Sequence, residues 1–272
     1  MFTPNLPDTP HLLLAAVAAC TIAGIASLFR ALSLSGAIAA IFVGFVVFGF
    51  GELPAAIGLL LFFITSSALS RYGKAQKELL ETYEKGDCRD AGQVMANGGV
   101  AVIAIAWHAI DPVNPAPIAA FLGALAAANA DTWATEIGTL LGAGAKRKPI
   151  ILATLYDGEP GQSGAVSVAG TLAALAGAAV IGATAFLWNE ATLPQTIIGA
   201  AVGGLIGSLC DSYIGGKFQA QYRDGVTGNL TERTHDAKGR LNPLESGYEW
   251  INNDIVNFAC TAVGATIAAV MC

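Results

Sequence analysis

Residues 117–142 read PIAAFLGALAAANADTWATEIGTLLG, and a basic cluster, Lys146-Arg147-Lys148, follows closely. The stretch is long enough to cross a bilayer, which takes about 20 apolar residues as a helix. Its second half nevertheless carries two acids, Asp131 and Glu136. Ionisable groups at membrane depth cost roughly 2.5–3.5 kcal/mol each on insertion scales and mark function by default. One segment therefore speaks to the fold class and to a candidate site together.

Seven further apolar stretches, at about 11–29, 33–50, 53–70, 94–110, 164–188, 195–216 and 248–270, are of similar length. Hydrophobic residues make up 54% of the chain and charged residues 12%, against about 25% charged in a soluble domain. The sequence predicts an all-α, polytopic membrane helix bundle of about eight transmembrane helices, a single domain over 1–272. The alternating short segments of a β-barrel are absent. Met1 to His11 holds no basic residue, so the first segment reads as a span and not as a signal peptide.

The basic residues give the orientation. Arg30 follows the first segment; Arg71, Lys74, Lys77, Lys85 and Arg89 lie between the third and fourth; Lys146–Lys148 follow the fifth; and Lys217, Arg223, Arg233, Lys238 and Arg240 lie between the seventh and eighth. The alternate connections, near Glu52, Asp111–Pro117 and Asn189–Pro194, carry none. By the positive-inside rule the basic loops, about 71–93, 143–163 and 217–247, are cytoplasmic and the protein sits in the cytoplasmic membrane. Eight spans then place both termini outside the cytoplasm. Nothing in this pattern points to nucleic acid, and the oligomeric state stays open.

Local signals add detail. Cys20, Cys88, Cys210, Cys260 and Cys272 lack metal or redox spacing and read as small apolar fillers. Asn229-Leu230-Thr231 matches a glycosylation sequon by chance on a cytoplasmic loop. Glycines and alanines four apart, as in Gly36-Ala40-Gly44 and Gly199-Gly203-Gly207, suit close helix packing in lipid. Residues 71–90 read as a cytoplasmic helix with Leu79, Leu80 and Tyr83 on one face. Residues 219–247 are the longest polar stretch, of a kind that often forms a lid or binding loop. A parallel internal repeat sets Gly123 on Gly203 and Asp131-Thr132-Trp133 on Asp211-Ser212-Tyr213.

The polar residues inside the apolar segments converge on one side. Asp131, Glu136 and Asp211 lie in the cytoplasmic halves of segments five and seven; Asn97 opens segment four; Asn252, Asn253, Asp254 and Asn257 open segment eight. Segments four, six and eight begin at that face with Asn97-Gly98-Gly99, Ser163-Gly164-Ala165 and Asn252-Asn253-Asp254. Helix N-termini hold phosphate, carboxylates hold Mg²⁺, and Arg71, Lys74, Lys146, Arg147 and Lys148 ring the rim. The set describes a Mg²⁺–polyphosphate site. Each member also has a plainer role: an acid in a structural ion pair, the asparagines as interhelical glue, Trp133 and Tyr213 as packing, Lys146–Lys148 as a headgroup anchor. At about 100° per residue, Asp131 and Glu136 stand about 140° apart, so they share one ion only if the helix unwinds.

Five elements carry a resemblance to a known family: Gln93-Val94-Met95-Ala96-Asn97-Gly98-Gly99, Ala130-Asp131-Thr132-Trp133-Ala134-Thr135-Glu136-Ile137-Gly138, Gly164-Ala165-Val166-Ser167-Val168-Ala169-Gly170, Gly207-Ser208-Leu209-Cys210-Asp211-Ser212 and Asn252-Asn253-Asp254-Ile255-Val256-Asn257. In order and spacing, from about 33 to 265, the chain resembles an integral-membrane family that includes the plant phytyl-phosphate kinase and is distantly similar to CTP-dependent dolichol and phytol kinases. Thr135 stands where that family has serine, and Gln162-Ser163-Gly164-Ala165 replaces an Asn-Gly-Gly type of run. The resemblance implies phosphorylation of a phytyl, farnesyl or geranylgeranyl monophosphate to the diphosphate by a nucleoside triphosphate, CTP being favoured. Asp131, Glu136, Asp211 and Asp254 would then hold Mg²⁺, the first three being catalytic. Asn97, Gly98, Ser167, Asn253, Asp254, Asn257, Lys148, Arg71 and Lys74 would bind nucleotide and phosphate. A cation- or proton-coupled transporter and a cytidylyltransferase making a CDP-lipid are the alternatives.

Overall fold

The computed structural model describes residues 7–72, 88–142, 147–188 and 193–272. Seven α-helices dominate these residues: α1 (Thr9–Leu28), α2 (Leu34–Tyr72), α3 (Ala91–Ile110), α4 (Ala116–Gly142), α5 (Val168–Gly182), α6 (Leu193–Lys217) and α7 (Asn253–Met271). A 3₁₀ turn (Ala183–Leu187) extends α5. By length and composition six helices can cross a membrane: α1, α2, α3, α5 with its 3₁₀ turn, α6 and α7. The protein is an integral membrane helix bundle.

α2 carries both the second and third expected segments. It breaks at Glu52 (φ 56°, ψ −160°), two residues before Pro54. Proline disfavours helix at the residue before it and removes an amide donor. The halves fold back into a hairpin that returns the end of α2 to the residues just before its start. The Arg71 guanidinium donates to the Phe29 carbonyl at 2.7 Å, and the Ser33 amide donates to the Arg89 carbonyl at 3.0 Å.

α4, the stretch quoted first, is the central helix. It packs against α2, α3, α5, α6 and α7, and every residue from Pro117 to Ala130 is buried. Over that length it has no lipid to face, and beyond it Asp131 and Glu136 line a cavity among the helices, so α4 tolerates polar groups at membrane depth. Asn129 makes this tolerable locally. Its amide donates to the Gly177 carbonyl at 2.8 Å and its carbonyl accepts from Thr65 at 3.0 Å, tying α2, α4 and α5 together.

Small residues set how close the helices come. A Cβ on Gly123 would strike the Gly264 carbonyl oxygen, and a Cβ on Gly203 would lie 2.5 Å from that same oxygen. Gly123 and Gly203 are the paired positions of the expected repeat, so α4 and α6 flank α7 as parallel equivalents. Gly123→Val is expected to cost about 1–3 kcal/mol or more through overpacking. Gly24→Ala, where nothing lies within 4 Å, should be neutral or stabilising, since alanine favours helix by about 1 kcal/mol. Thermal unfolding in detergent separates the two; equal midpoints would refute the close crossing.

Two connections differ from expectation. The sixth segment was expected to open at Ser163-Gly164-Ala165, but α5 starts at Val168, capped by Ser167 whose Oγ accepts the Gly170 amide at 3.1 Å. Residues before it form a small antiparallel pair, β1 (Ile150–Ile151) with β2 (Ala165–Val166). Gly164 forces this: it sits at φ +81° with its Cα face against Gly216, a place no side chain fits. The polar stretch after α6 is a folded unit, a three-stranded sheet ordered β4 (Leu230–Thr231), β3 (Gln221–Arg223), β5 (Leu244–Ser246). Asp236 anchors it, accepting amides from Lys238 and Arg240 and the Arg240 guanidinium. The helix expected over 71–90 falls largely outside the described residues.

Candidate functional site

A polar cavity of about 200 Å³ opens where α3, α4, α5, α6 and α7 meet, with Phe62 and Ser70 of α2 in its wall. Residues 160–164 of the β1–β2 connection, β2 itself, and Gln219 and Glu232 of the β-sheet unit complete the lining. Three helix N-termini reach it: Gln93 and Asn97 of α3, Ser167 and Gly170 of α5, Asn253 and Asn257 of α7. Their local sequences explain their direction. Asp90 and Gln93 form a reciprocal capping box on α3, and Asn252 caps α7 by accepting the Ile255 amide at 3.0 Å. The positive dipole ends of these helices suit an anion.

Asp131, Glu136 and Asp211 all line the cavity. α4 runs unbroken through both of its acids, so the angular argument holds and they divide the work. Asp131 faces α6, where the Ser208 hydroxyl donates to its Oδ1 at 3.4 Å. Glu136, 3% exposed, is the acid whose charge acts on Arg89. Asp211 feels the charges of Asp131 and Glu232. Its Oδ2 is buried and has no hydrogen-bond partner among the described residues. Among the described residues no three His, Cys, Asp or Glu side chains form a metal-holding group.

The other expected residues separate by position. Asn97, Ser167, Asn253 and Asn257 line the cavity, and Asn97 Nδ2 donates to the Gln93 carbonyl at 3.0 Å. Gly98, Arg71, Lys148 and Asp254 are not in its lining. A Cβ on Gly98 would meet Val43 at 3.1 Å, so this glycine serves packing against α2. Arg71 holds the Phe29 carbonyl. Lys148 bridges Glu159 at 2.5 Å on the exposed surface, a bond that raises its pKa. Asp254 Oδ2 occupies the space beside Gly92, in the first turn of α3, where a carboxylate complements the helix dipole. Lys74 and Lys146 lie outside the described residues.

Two residues of the site were missed. Arg89 lines the cavity with its guanidinium 5.8 Å from the ring centroids of both Phe62 and Phe63. Burial lowers its pKa and nearby Glu136 opposes the shift; a guanidinium stays charged regardless. Among the described residues no carboxylate lies within 4 Å of it. A signal existed, since Arg89 directly precedes the Asp90–Gln93 capping box at the mouth of α3. Glu232 had none, because only the fold of the β-sheet unit brings it to the helices.

Comparison with known proteins now bears on this arrangement. The profile of an integral membrane protein family, DUF92, matches residues 17–265. The chain belongs to the DUF92 family. This is the family resemblance carried by the five sequence elements. Among relatives, it is 30% identical over 252 residues to the uncharacterized membrane protein MJ0933 of Methanocaldococcus jannaschii, covering 93% of this chain and 90% of the relative. It is 29% identical over 253 residues to Protein PGR of Arabidopsis thaliana, covering 84% and 85%. It is 25% identical over 253 residues to Protein VTE6, chloroplastic, of the same plant, covering 90% and 66%. No solved structure matches the chain.

Proposed function

We propose that this DUF92 protein is a kinase that converts an isoprenyl monophosphate to the diphosphate with a nucleoside triphosphate, CTP being the favoured donor. The observation that carries the reading is the company kept in one cavity. Among the described residues, two acids that act on each other, one with a buried oxygen lacking a hydrogen-bond partner, share it with a guanidinium that has no carboxylate within 4 Å. Like charges that act on each other at membrane depth call for a cation, and a guanidinium with none of the described carboxylates within 4 Å calls for an anion. A divalent cation held by the acids and a phosphate held by Arg89 would satisfy both.

Mg²⁺ fits this donor set although no three-carboxylate cage lies among the described residues, because Mg²⁺ is commonly held by one or two carboxylates plus substrate phosphates. Asp131 and Asp211 are the residues that would hold it, with Glu136 and Glu232 adding negative field. When bound, the ion neutralises charge on the phosphate oxygens. Arg89 and the N-termini of α3, α5 and α7 position the phosphates, helped by Asn97, Ser167, Asn253 and Asn257. An oxygen of the acceptor monophosphate attacks the γ-phosphorus of the donor; the bond from that phosphorus to the β,γ-bridging oxygen breaks, and the nucleoside diphosphate leaves. A phosphate monoester has a second pKa near 6 and arrives largely ionised, so no general base is required. Positioning and charge neutralisation supply most of the catalysis in such transfers. The basic loops argue that the cavity opens to the cytoplasm, where the nucleotide is.

The test uses purified protein in detergent with Mg²⁺, CTP and farnesyl, geranylgeranyl and phytyl monophosphates, read by mass spectrometry. Prenyl diphosphate and CDP in equal amounts are expected. Release of inorganic diphosphate would replace the kinase with cytidylyl transfer. No product with any nucleotide, together with solute flux into sealed vesicles, would replace it with a carrier.

A further inference from the structure

A second cavity, of about 120 Å³, lies between α1, α2 and α3. Its wall is almost wholly aliphatic and aromatic, with Ala19, Ile22, Ala40, Val43, Leu59 and Phe63 among the residues that form it. It adjoins the polar cavity: Phe62, Arg89, Gln93 and Asn97 belong to the linings of both. Arg89 stands at the junction, stacked on Phe62 and Phe63. An apolar chamber that meets a charged one across a guanidinium has the shape of an amphiphile with a phosphate head.

We infer that the apolar cavity seats the isoprene unit next to the phosphate of a prenyl phosphate, while Arg89 holds the phosphate at the boundary. The inference rests on the reading of the polar cavity as a phosphate site. Size fixes how much of the tail is held. An apolar cavity of about 150 Å³ holds a benzene, so this one holds about one five-carbon unit. The remaining units leave past Ile22, which is 37% exposed at the rim, into lipid. The protein therefore reads the first isoprene unit and not the chain length.

The decisive experiment photolabels the wild-type protein in detergent with a farnesyl monophosphate analogue that carries a diazirine on its first isoprene unit. Adducts are mapped by mass spectrometry, with unlabelled farnesyl monophosphate or phosphatidic acid as competitor. Labelling on α1–α3 at residues such as Val43 and Phe63, suppressed by farnesyl monophosphate, is the expected result. Labelling confined to other helices, or suppressed by phosphatidic acid alone, overturns the tail site. Ala40→Phe, which fills the cavity, should weaken labelling by about tenfold to a hundredfold, the range set by small apolar groups in a fitted pocket. Turnover of farnesyl and geranylgeranyl monophosphate should agree within about threefold in kcat/KM, since both present the same first unit. Competed labelling at the cavity without nucleotide-dependent turnover would keep the tail site and remove the kinase. Turnover with labelling elsewhere would keep the kinase and remove the tail site.

Discussion

Replacing Asp131 with asparagine should leave a folded protein that turns over at least about a hundredfold more slowly, a loss of about 2.7 kcal/mol in transition-state stabilisation. The substitution keeps volume and can keep the contact with Ser208, so packing against α6 is preserved. What it removes is a charge that acts on Asp211. Two readouts tie the loss to metal binding. The Mg²⁺ concentration for half-maximal activity should rise, because one of two proposed ligands is weakened. The unfolding temperature without Mg²⁺ should rise as well, since like charges in a poorly solvated site destabilise the fold. A protein that loses activity while gaining stability shows a site strained for function. Unchanged turnover would sink the assignment of Asp131, and a large fall in stability would mean that the carboxylate is a structural group.

Arg89→Ala should lower kcat/KM for the prenyl phosphate by about tenfold to a hundred-and-fiftyfold, the equivalent of one charge-assisted hydrogen bond of about 1.5–3 kcal/mol. The guanidinium is held in place by Phe62 and Phe63 and by its backbone, which donates to Ala31 and accepts from Ser33. Its position is therefore independent of any ligand, and the alanine variant should fold. Arg89→Lys should recover only part of the loss, because an ammonium cannot offer the planar fork that grips two phosphate oxygens or stack on two rings. KM for the lipid substrate should move more than KM for the nucleotide. Equal kcat/KM in all three proteins would remove Arg89 from the site and with it the link between the two cavities.

The membrane fold was legible in the chain because burial in lipid is written in one dimension. A run of about 20 apolar residues forms a helix wherever it stands, since its backbone must bond to itself. The break at Glu52 before Pro54 and the caps at Asp90 and Asn252 are equally local. So is the repeat that pairs Gly123 with Gly203 and Asp131 with Asp211. The site's acids were legible for the same reason: a charge in an apolar run is costly and stands out.

Tertiary structure decided what composition could not. Lys148 and Asp254 read as phosphate and metal groups because their types and depth suit those roles. Their neighbours, Glu159 for one and the first turn of α3 for the other, are set by packing. Arg89 read as one more loop cation until Phe62 and Phe63, from the other half of a hairpin, came to lie against it. Glu232 entered through the pairing of three short strands far along the chain. The apolar cavity could not be read at all, because a void is a property of how α1, α3 and the two halves of α2 fail to meet and has no residues of its own. The sequence by itself determined which segments enter the membrane and which of their residues are too costly to be there without a purpose. Only the packing of α2, α3, α4, α5, α6 and α7 decided which of those residues share a cavity, because contact depends on three-dimensional approach that spacing along one helix does not encode.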